Sequence, residues 1–230
     1  MINKTLIFSI ATNGYDQIFE GYLTSQKQYA ERFGYEYKLF ADHEKSGISA
    51  SDSAWLKVPL IIKALEAGYE WIAFFDADCM LFEHTPDIKS VNTEDKCFYM
   101  AQDCRMEIPN TGVMIIRNHP QVVRLFRKIL RYSDLPLKFL PRKHWALYEM
   151  GHVVHFSINQ PFFEWLDQRW NDTINKYPDH YVLHAHGSYS KKDRSKQRPM
   201  TLFESLFFRF KKGLRVSRLK KSADYYWKWS

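Results

Sequence analysis

The sequence predicts an α/β fold built on a mostly parallel central sheet, and three observations carry that expectation. Thr5-Leu-Ile-Phe-Ser-Ile-Ala11 and Trp71-Ile-Ala-Phe-Phe75 are nearly unbroken apolar runs, the pattern of strands buried on both faces. Between and after them lie segments with apolar residues at helical intervals. Strand-like and helix-like segments alternate from the N-terminus onward, as they do where parallel strands are joined by crossover helices.

Taken in order, residues 5–11 form the first strand. Residues 22–33 have helical spacing that Gly34 terminates, and Tyr35-Glu-Tyr-Lys-Leu-Phe40 alternates as a second strand should. Residues 41–53 are polar, with Gly47 and several serines, and predict a loop that ends at Ser53 as the next N-cap. The helix that follows covers 55–67, with Pro59 in its early part and Gly68 at its end, and leads straight into Trp71–Phe75. Further strands are expected at 97–101 and 113–117, with a helix at 121–132. Past Pro136 and Pro141, a helix near 159–167 and a short strand at 181–184 complete the alternation. From Thr201 onward, Leu202, Phe203, Leu206, Phe207, Phe210 and Leu214 interleave with Arg209, Lys211, Lys212 and Arg215, a basic amphipathic helix pattern. The chain therefore divides into a domain over 1–200 and a basic aromatic tail over 201–230.

At 230 residues the chain can bury one substantial core. Residues 188–230 hold 13 Lys/Arg against 3 Asp/Glu, about +10, which leaves about −3 on the remainder of a chain whose net charge is +7. The basic character belongs to the tail, and the acidic balance of the body argues against a continuous nucleic-acid groove. Cys79, Cys97 and Cys104 are an odd set without zinc-ligand spacing, which points away from a disulfide framework and toward a reducing, cytoplasmic setting. The apolar stretch 6–11 is too short for a signal-peptide core, and no run reaches membrane-spanning length.

The chemistry concentrates where the run Trp71–Phe75 empties into Asp76-Ala77-Asp78. Two carboxylates at the exit of a buried strand, with Cys79-Met-Leu-Phe82 burying the other side, need a partner, and a divalent cation supplies one. Such a cation at the carboxyl end of a strand is placed to hold a pyrophosphate. The end of the first strand, with Thr12 and Asn13, marks the crevice where a donor base and ribose would lie, with Lys57 nearby. His152 and His155 have His-x-x-His spacing but no Glu between them, and are read as structural.

Several short segments, in order over roughly residues 5–192, resemble the metal-dependent GT-A glycosyltransferases. They are Tyr29-Ala-Glu-Arg-Phe-Gly-Tyr35, Trp55-Leu-Lys-Val-Pro59, Asp76-Ala-Asp78, Asn110-Thr-Gly112 and His184-Ala-His-Gly187. The likeness is greatest to the yeast-type galactosyl and mannosyl transferase family, with the bacterial lipopolysaccharide galactosyltransferase family a neighbour. It implies a Rossmann-like nucleotide-diphospho-sugar fold and a cation held by Asp76, Asp78 and His184, with His186 the alternative ligand. An imidazole beside two carboxylates favours Mn²⁺ over Mg²⁺. It further implies a nucleotide-diphosphate sugar donor, UDP-linked, with Asn110, Gly112 and Gly187 near it; Thr12 and Lys57 line the crevice, and Lys191 and Lys192 are placed to clamp the diphosphate as point charges. Where the family places Asp-Gln beside the donor sugar, this chain has Asn159-Gln160. Retention of configuration is implied; an inverting enzyme would need a carboxylate base, for which Asp103 and Glu149 are the candidates.

The resemblance implies hexose transfer, galactose or glucose, to a surface glycan or a lipid-linked, lipopolysaccharide-type acceptor. The tail, ending in Tyr225-Tyr-Trp-Lys-Trp229, then reads either as a peripheral anchor on the anionic inner face of a membrane or as a helix packed on the domain. Two rival classes fit the motif less well. A haloacid-dehalogenase-type phosphatase would use Asp76 as nucleophile, but two β-α units precede the motif and Met80 stands where that family has Thr or Val. A nucleic-acid-binding protein would rest on the tail's cations, yet no base-reading motif accompanies them, and no specific nucleic acid is expected.

Overall fold

The computed structural model describes residues 4–42, 48–104, 109–136, 148–185 and 214–229. Its chain order is β1 (Thr5–Ala11), α1 (Tyr15–Ile18), α2 (Glu20–Arg32), β2 (Glu36–Ala41), α3 (Ala50–Glu66), β3 (Trp71–Phe75), β4 (Cys79–Leu81), β5 (Phe98–Gln102), β6 (Pro109–Arg117), α4 (Pro120–Arg131), α5 (Met150–Ser157), β7 (Phe163–Leu166), β8 (Val182–His184) and α6 (Leu214–Trp229). Six strands form one sheet in the order β2-β1-β3-β6-β5-β7, and β4 pairs with β8 in a separate two-stranded sheet. Strand β6 runs antiparallel to β3 and β5, whereas β1 pairs in parallel with β2 and β3, and β5 with β7. The expected mostly parallel α/β sheet is the observed one.

The apolar runs are continuous because the sheet is covered on both faces, and alternate residues serve different layers. Leu6, Phe8, Ile72, Phe74, Met114 and Ile116 point into a core shared with α3, α4, α5 and α6. Ile7, Trp71, Ala73, Phe75, Val113 and Ile115 point to the other face, against Tyr29 and Ala30 of α2 and the β4–β8 pair. Helix α2 is ended by Gly34 at φ 68°, and α3 by Gly68 at φ 84°, left-handed positions that a side chain would strain.

Three local expectations are corrected. Helix α3 begins earlier, capped by Ser49, whose side chain accepts from the Asp52 N–H at 3.1 Å. Ser53 lies inside the helix, and Pro59 sits in its middle. The expected helix near 159–167 is not there. Helix α5 precedes it at Met150–Ser157, and Phe163–Leu166 is the edge strand β7. Asn110-Thr-Gly112 belongs to β6, which starts at Pro109 rather than at Val113.

Helix α6 is packed on the domain. It lies against α3 and β2, and its Leu219, Ala223 and Tyr226 belong to the same core as the sheet. Trp227 stacks on Phe40 with ring centroids 5.9 Å apart. Arg215 and Arg218 pair with Asp52, and Lys63 with Asp224. Among the described residues no helix is long and apolar enough to cross a membrane. Tail residues 201–213 lie outside the described residues.

Candidate active site

Register brings the candidate ligands together. Strand β3 ends at Phe75, and the Asp76 N–H donates to the Gly112 carbonyl of the neighbouring β6 at 2.8 Å, which continues the ladder one residue past the strand. The chain then turns, with Cys79 N–H on the Asp76 carbonyl at 3.0 Å, and enters β4. Because β4 pairs antiparallel with β8 in the register Cys79↔His184, the imidazole arrives beside the carboxylates. His184 Nε2 stands 3.2 Å from Asp78 Oδ1 and 3.9 Å from Asp76 Oδ2. The ligand atoms that all lie within 4.8 Å of one another are those of Asp78, Cys79 and His184, and Asp76 joins them through its 3.9 Å approach to His184. Burial pushes the Cys79 thiol well above its ordinary value, and the two carboxylates reinforce the shift, so it stays protonated.

A lysine completes the charge pattern. Lys57, buried in α3, places Nζ 3.1 Å from Asp76 Oδ1 and 2.9 Å from Glu149 Oε1. Burial opposes its charge, but the two facing carboxylates outweigh burial and hold its pKa above the ordinary lysine value. Glu149 also accepts from the Thr111 hydroxyl at 2.9 Å. Three carboxylates, those of Asp76, Asp78 and Glu149, gather around one lysine, and by formal charge this leaves a surplus of negative charge that matches a divalent cation. Without a cation, His184 answers part of that surplus itself. Burial lowers its pKa, yet Asp78 and Asp76 overcome this and raise it above the usual value. The donor set of two carboxylates and an imidazole fits Mn²⁺.

Gly112 has a steric reason. A Cβ there would lie 2.2 Å from His184 Cε1 and 2.7 Å from its Nδ1, so only glycine lets that edge of the ring come this close to β6. Asn110, two residues earlier, does not open toward the crevice. It is buried, its Oδ1 accepts from Gly112 N–H at 2.8 Å, and its amide donates to Asp103 Oδ2 at 3.1 Å. Asp103 is fully buried in this network rather than exposed to an acceptor.

At the other end of the crevice, the Thr12 and Ser53 hydroxyls are 2.5 Å apart. Asn13, left-handed at φ 61°, donates its N–H to Asp42 Oδ2 at 2.7 Å. Asn159 and Gln160 are not brought to the site. They precede β7, whose first residue pairs with Phe98 at the start of β5, so they sit at the opposite end of the sheet. There Gln160 lines a shallow cavity of about 280 Å³ with Arg124, Leu125 and Lys128. His186, Gly187, Lys191 and Lys192 lie outside the described residues. His152 is structural, as expected: it packs on Trp55 and its Nε2 lies 2.8 Å from the Leu135 carbonyl.

Sequence reasoning missed two polar residues of this centre. Gln26, buried in α2, donates to the carbonyls of Asp76 (3.0 Å) and Cys79 (2.9 Å) and clamps the turn between them. Its signal was a polar residue on the buried stripe of a helix, between Leu23 and Ala30. Asn171 sits fully buried, with Oδ1 2.8 Å from His184 Nδ1. No spacing pattern announced it.

No protein-family model and no curated protein matches the chain. Solved structures do. A glycosyltransferase involved in the glycosylation of the major capsid of PBCV-1 superposes with a TM-score of 0.60 at 16% identity, over 80% of this chain and 96% of that one. The glycosyltransferase GlyE of Streptococcus pneumoniae TIGR4 gives 0.54 at 11% identity, over 96% of this chain, which spans 64% of GlyE. The galactosyltransferase LgtC, solved with donor and acceptor sugar analogues, gives 0.50 at 11% identity, over 96% of this chain and 95% of that one. At these identities the likeness is one of fold, and the chain has the GT-A glycosyltransferase fold.

Proposed function

We propose that this chain is a metal-dependent glycosyltransferase that moves a hexose, galactose or glucose, from a UDP-linked sugar to a cell-surface glycan or lipopolysaccharide-type acceptor, with retention. The observation that carries the reading is the convergence of Asp76, Asp78 and His184 beyond the carboxyl end of β3 in a GT-A sheet. A divalent cation held by these three side chains would neutralise the charge that develops on the nucleoside diphosphate leaving group. Lys57 fixes Asp76 from behind, so one carboxylate oxygen is committed to the protein and the other faces His184. Thr12 and the Asn13 turn offer polar contacts for base and ribose, Gly187 belongs to the donor-binding set, and Lys191 and Lys192 clamp the diphosphate as point charges. Glu149, held by Lys57 and Thr111, is the further carboxylate that stands beside the cluster. Residues 201–230 carry peripheral binding to the anionic inner face of a membrane.

Calorimetric titration of UDP and then GDP, with and without Mn²⁺, tests the core of this reading. UDP binding that requires Mn²⁺ and disappears in Asp78→Ala is the expected result. A preference for GDP would redirect the donor assignment to other sugars. Absence of metal-dependent binding by either nucleotide would overturn the proposal.

A further inference from the structure

We propose that Asn171 is a positioning residue that sets the tautomer of His184, keeping Nδ1 protonated and the Nε2 lone pair turned toward Asp78. The inference deepens the functional reading above and rests on it for the metal. Its geometry stands alone.

A side-chain amide can face either way, so its orientation has to be derived from groups that cannot change role. One such group anchors this network. The Gly112 N–H can only donate, and it points at Asn110 Oδ1 at 2.8 Å. The Asp103 carboxylate accepts from the other arm of the same amide, Asn110 Nδ2, at 3.1 Å. Asn110 is therefore fixed at both ends. Its Oδ1 has capacity for one more donor, and the group facing it at 3.1 Å is the amide of Asn171, which must present Nδ2 there. The second contact of that Nδ2, to the Asn110 carbonyl oxygen at 3.4 Å, is also to an acceptor. Asn171 Oδ1 is consequently the atom turned to His184 Nδ1 at 2.8 Å, and an amide oxygen can only accept. The ring must carry a proton on Nδ1.

In the neutral imidazole, that leaves Nε2 as the lone-pair nitrogen, and it is Nε2 that stands 3.2 Å from Asp78 Oδ1. No polar atom of Asn110 or Asn171 is left buried without a partner. The order of orientation thus runs from a backbone N–H and a buried carboxylate, through two amides, to the nitrogen offered to a cation. Asn110 and Asp103 act through this chain and not on the sugar.

The test uses Asn171→Leu, which removes the acceptor, and Asn171→Asp, which keeps the acceptor for Nδ1 while losing the donor to Asn110. In metal-free wild-type protein with the imidazole neutral, ¹⁵N–¹H correlation spectra should show His184 as the Nδ1-protonated form. Asn171→Asp should retain that form, and Asn171→Leu should lose it. Calorimetric Mn²⁺ affinity in the presence of UDP should fall about 10- to 100-fold in Asn171→Leu. An Nε2-protonated ring in the wild type, or equal Mn²⁺ affinity in a folded Asn171→Leu, would overturn the proposal. Should Asn171→Leu not fold, the wild-type and Asn171→Asp spectra decide it. Failure of the wild type to bind Mn²⁺ would remove the metal reading alone, since the tautomer comparison would still uphold or overturn the role of Asn171.

Discussion

Gly112 and the His184 ring occupy space that a methyl group cannot share, because an added Cβ would sit 2.2 Å from Cε1. The backbone of β6 is held between β3 and β5, so the ring must yield. Gly112→Ala should therefore pull His184 away from both Asn171 and Asp78. Overpacking costs about 1–3 kcal/mol of stability, and Mn²⁺ affinity should fall at least tenfold; denaturant unfolding and calorimetry read the two effects separately. Asp172, next to Asn171, makes a second prediction, for pH. Burial raises its pKa, but backbone N–H donors from Lys176, Tyr177 and Ile174 outweigh burial and hold the carboxyl below its usual value. A depressed carboxylate stabilises the fold fully above its unfolded pKa of about 3.9, and that contribution is lost as pH falls through the folded value. The denaturant midpoint should decline below about pH 4, and Asp172→Asn should flatten that decline. An unchanged acid limb in Asp172→Asn would show that other carboxylates set it.

At the scale of elements, what the sequence made legible followed how many residues share one environment. Strands β1 and β3 are buried on both faces and announce themselves as apolar runs, and Asp76 and Asp78 were conspicuous because they interrupt one. Strand β7 has four residues, with Phe163 and Leu166 inward and Trp165 exposed, and the inward pair three apart imitates a helix turn. Helix α5 contains Gly151, two valines and two histidines, poor helix formers that packing of Val153 and His152 under α3 overrides. Asn171 and Gln26 were illegible because a single polar residue carries no period. Its role depends on which carbonyl or ring nitrogen the fold brings to it. The same holds for Tyr226, whose ring is buried in the core while its hydroxyl donates to Asp42 Oδ1 at 2.6 Å. Asp42 in turn accepts from the Asn13 N–H beside Thr12, so α6 braces the end of the crevice assigned to base and ribose. Tyr226→Phe keeps the packing and loses the bond. It should cost about 1 kcal/mol in denaturant unfolding and weaken UDP binding several-fold by calorimetry. Unchanged UDP affinity would mean that the brace does not reach the nucleotide.

At the scale of the whole molecule, the placement of α6 determines how its charge can be used. Its apolar stripe, with Leu219, Ala223 and Tyr226, is spent in the domain core, so those residues are not available to enter a bilayer. The outward face presents Arg218, Lys220, Lys221 and Lys228. Adhesion through the described part of the tail would therefore be electrostatic, worth about 1 kcal/mol per cation at an anionic surface and weakened by salt. Deleting 214–229 cannot test this, because it uncovers Phe40 and Tyr69 and removes burial worth on the order of 5 kcal/mol, much of a typical domain's stability. The truncated chain should unfold or aggregate. Lys220→Glu with Lys221→Glu leaves the packed face intact and reverses two outward charges. That variant should keep the wild-type melting temperature and lose most binding to phosphatidylserine-containing vesicles at low salt. Full retention of vesicle binding would show that the cations of α6 do not hold the membrane. A large drop in melting temperature would show that the two lysines belong to the packing and not to the surface.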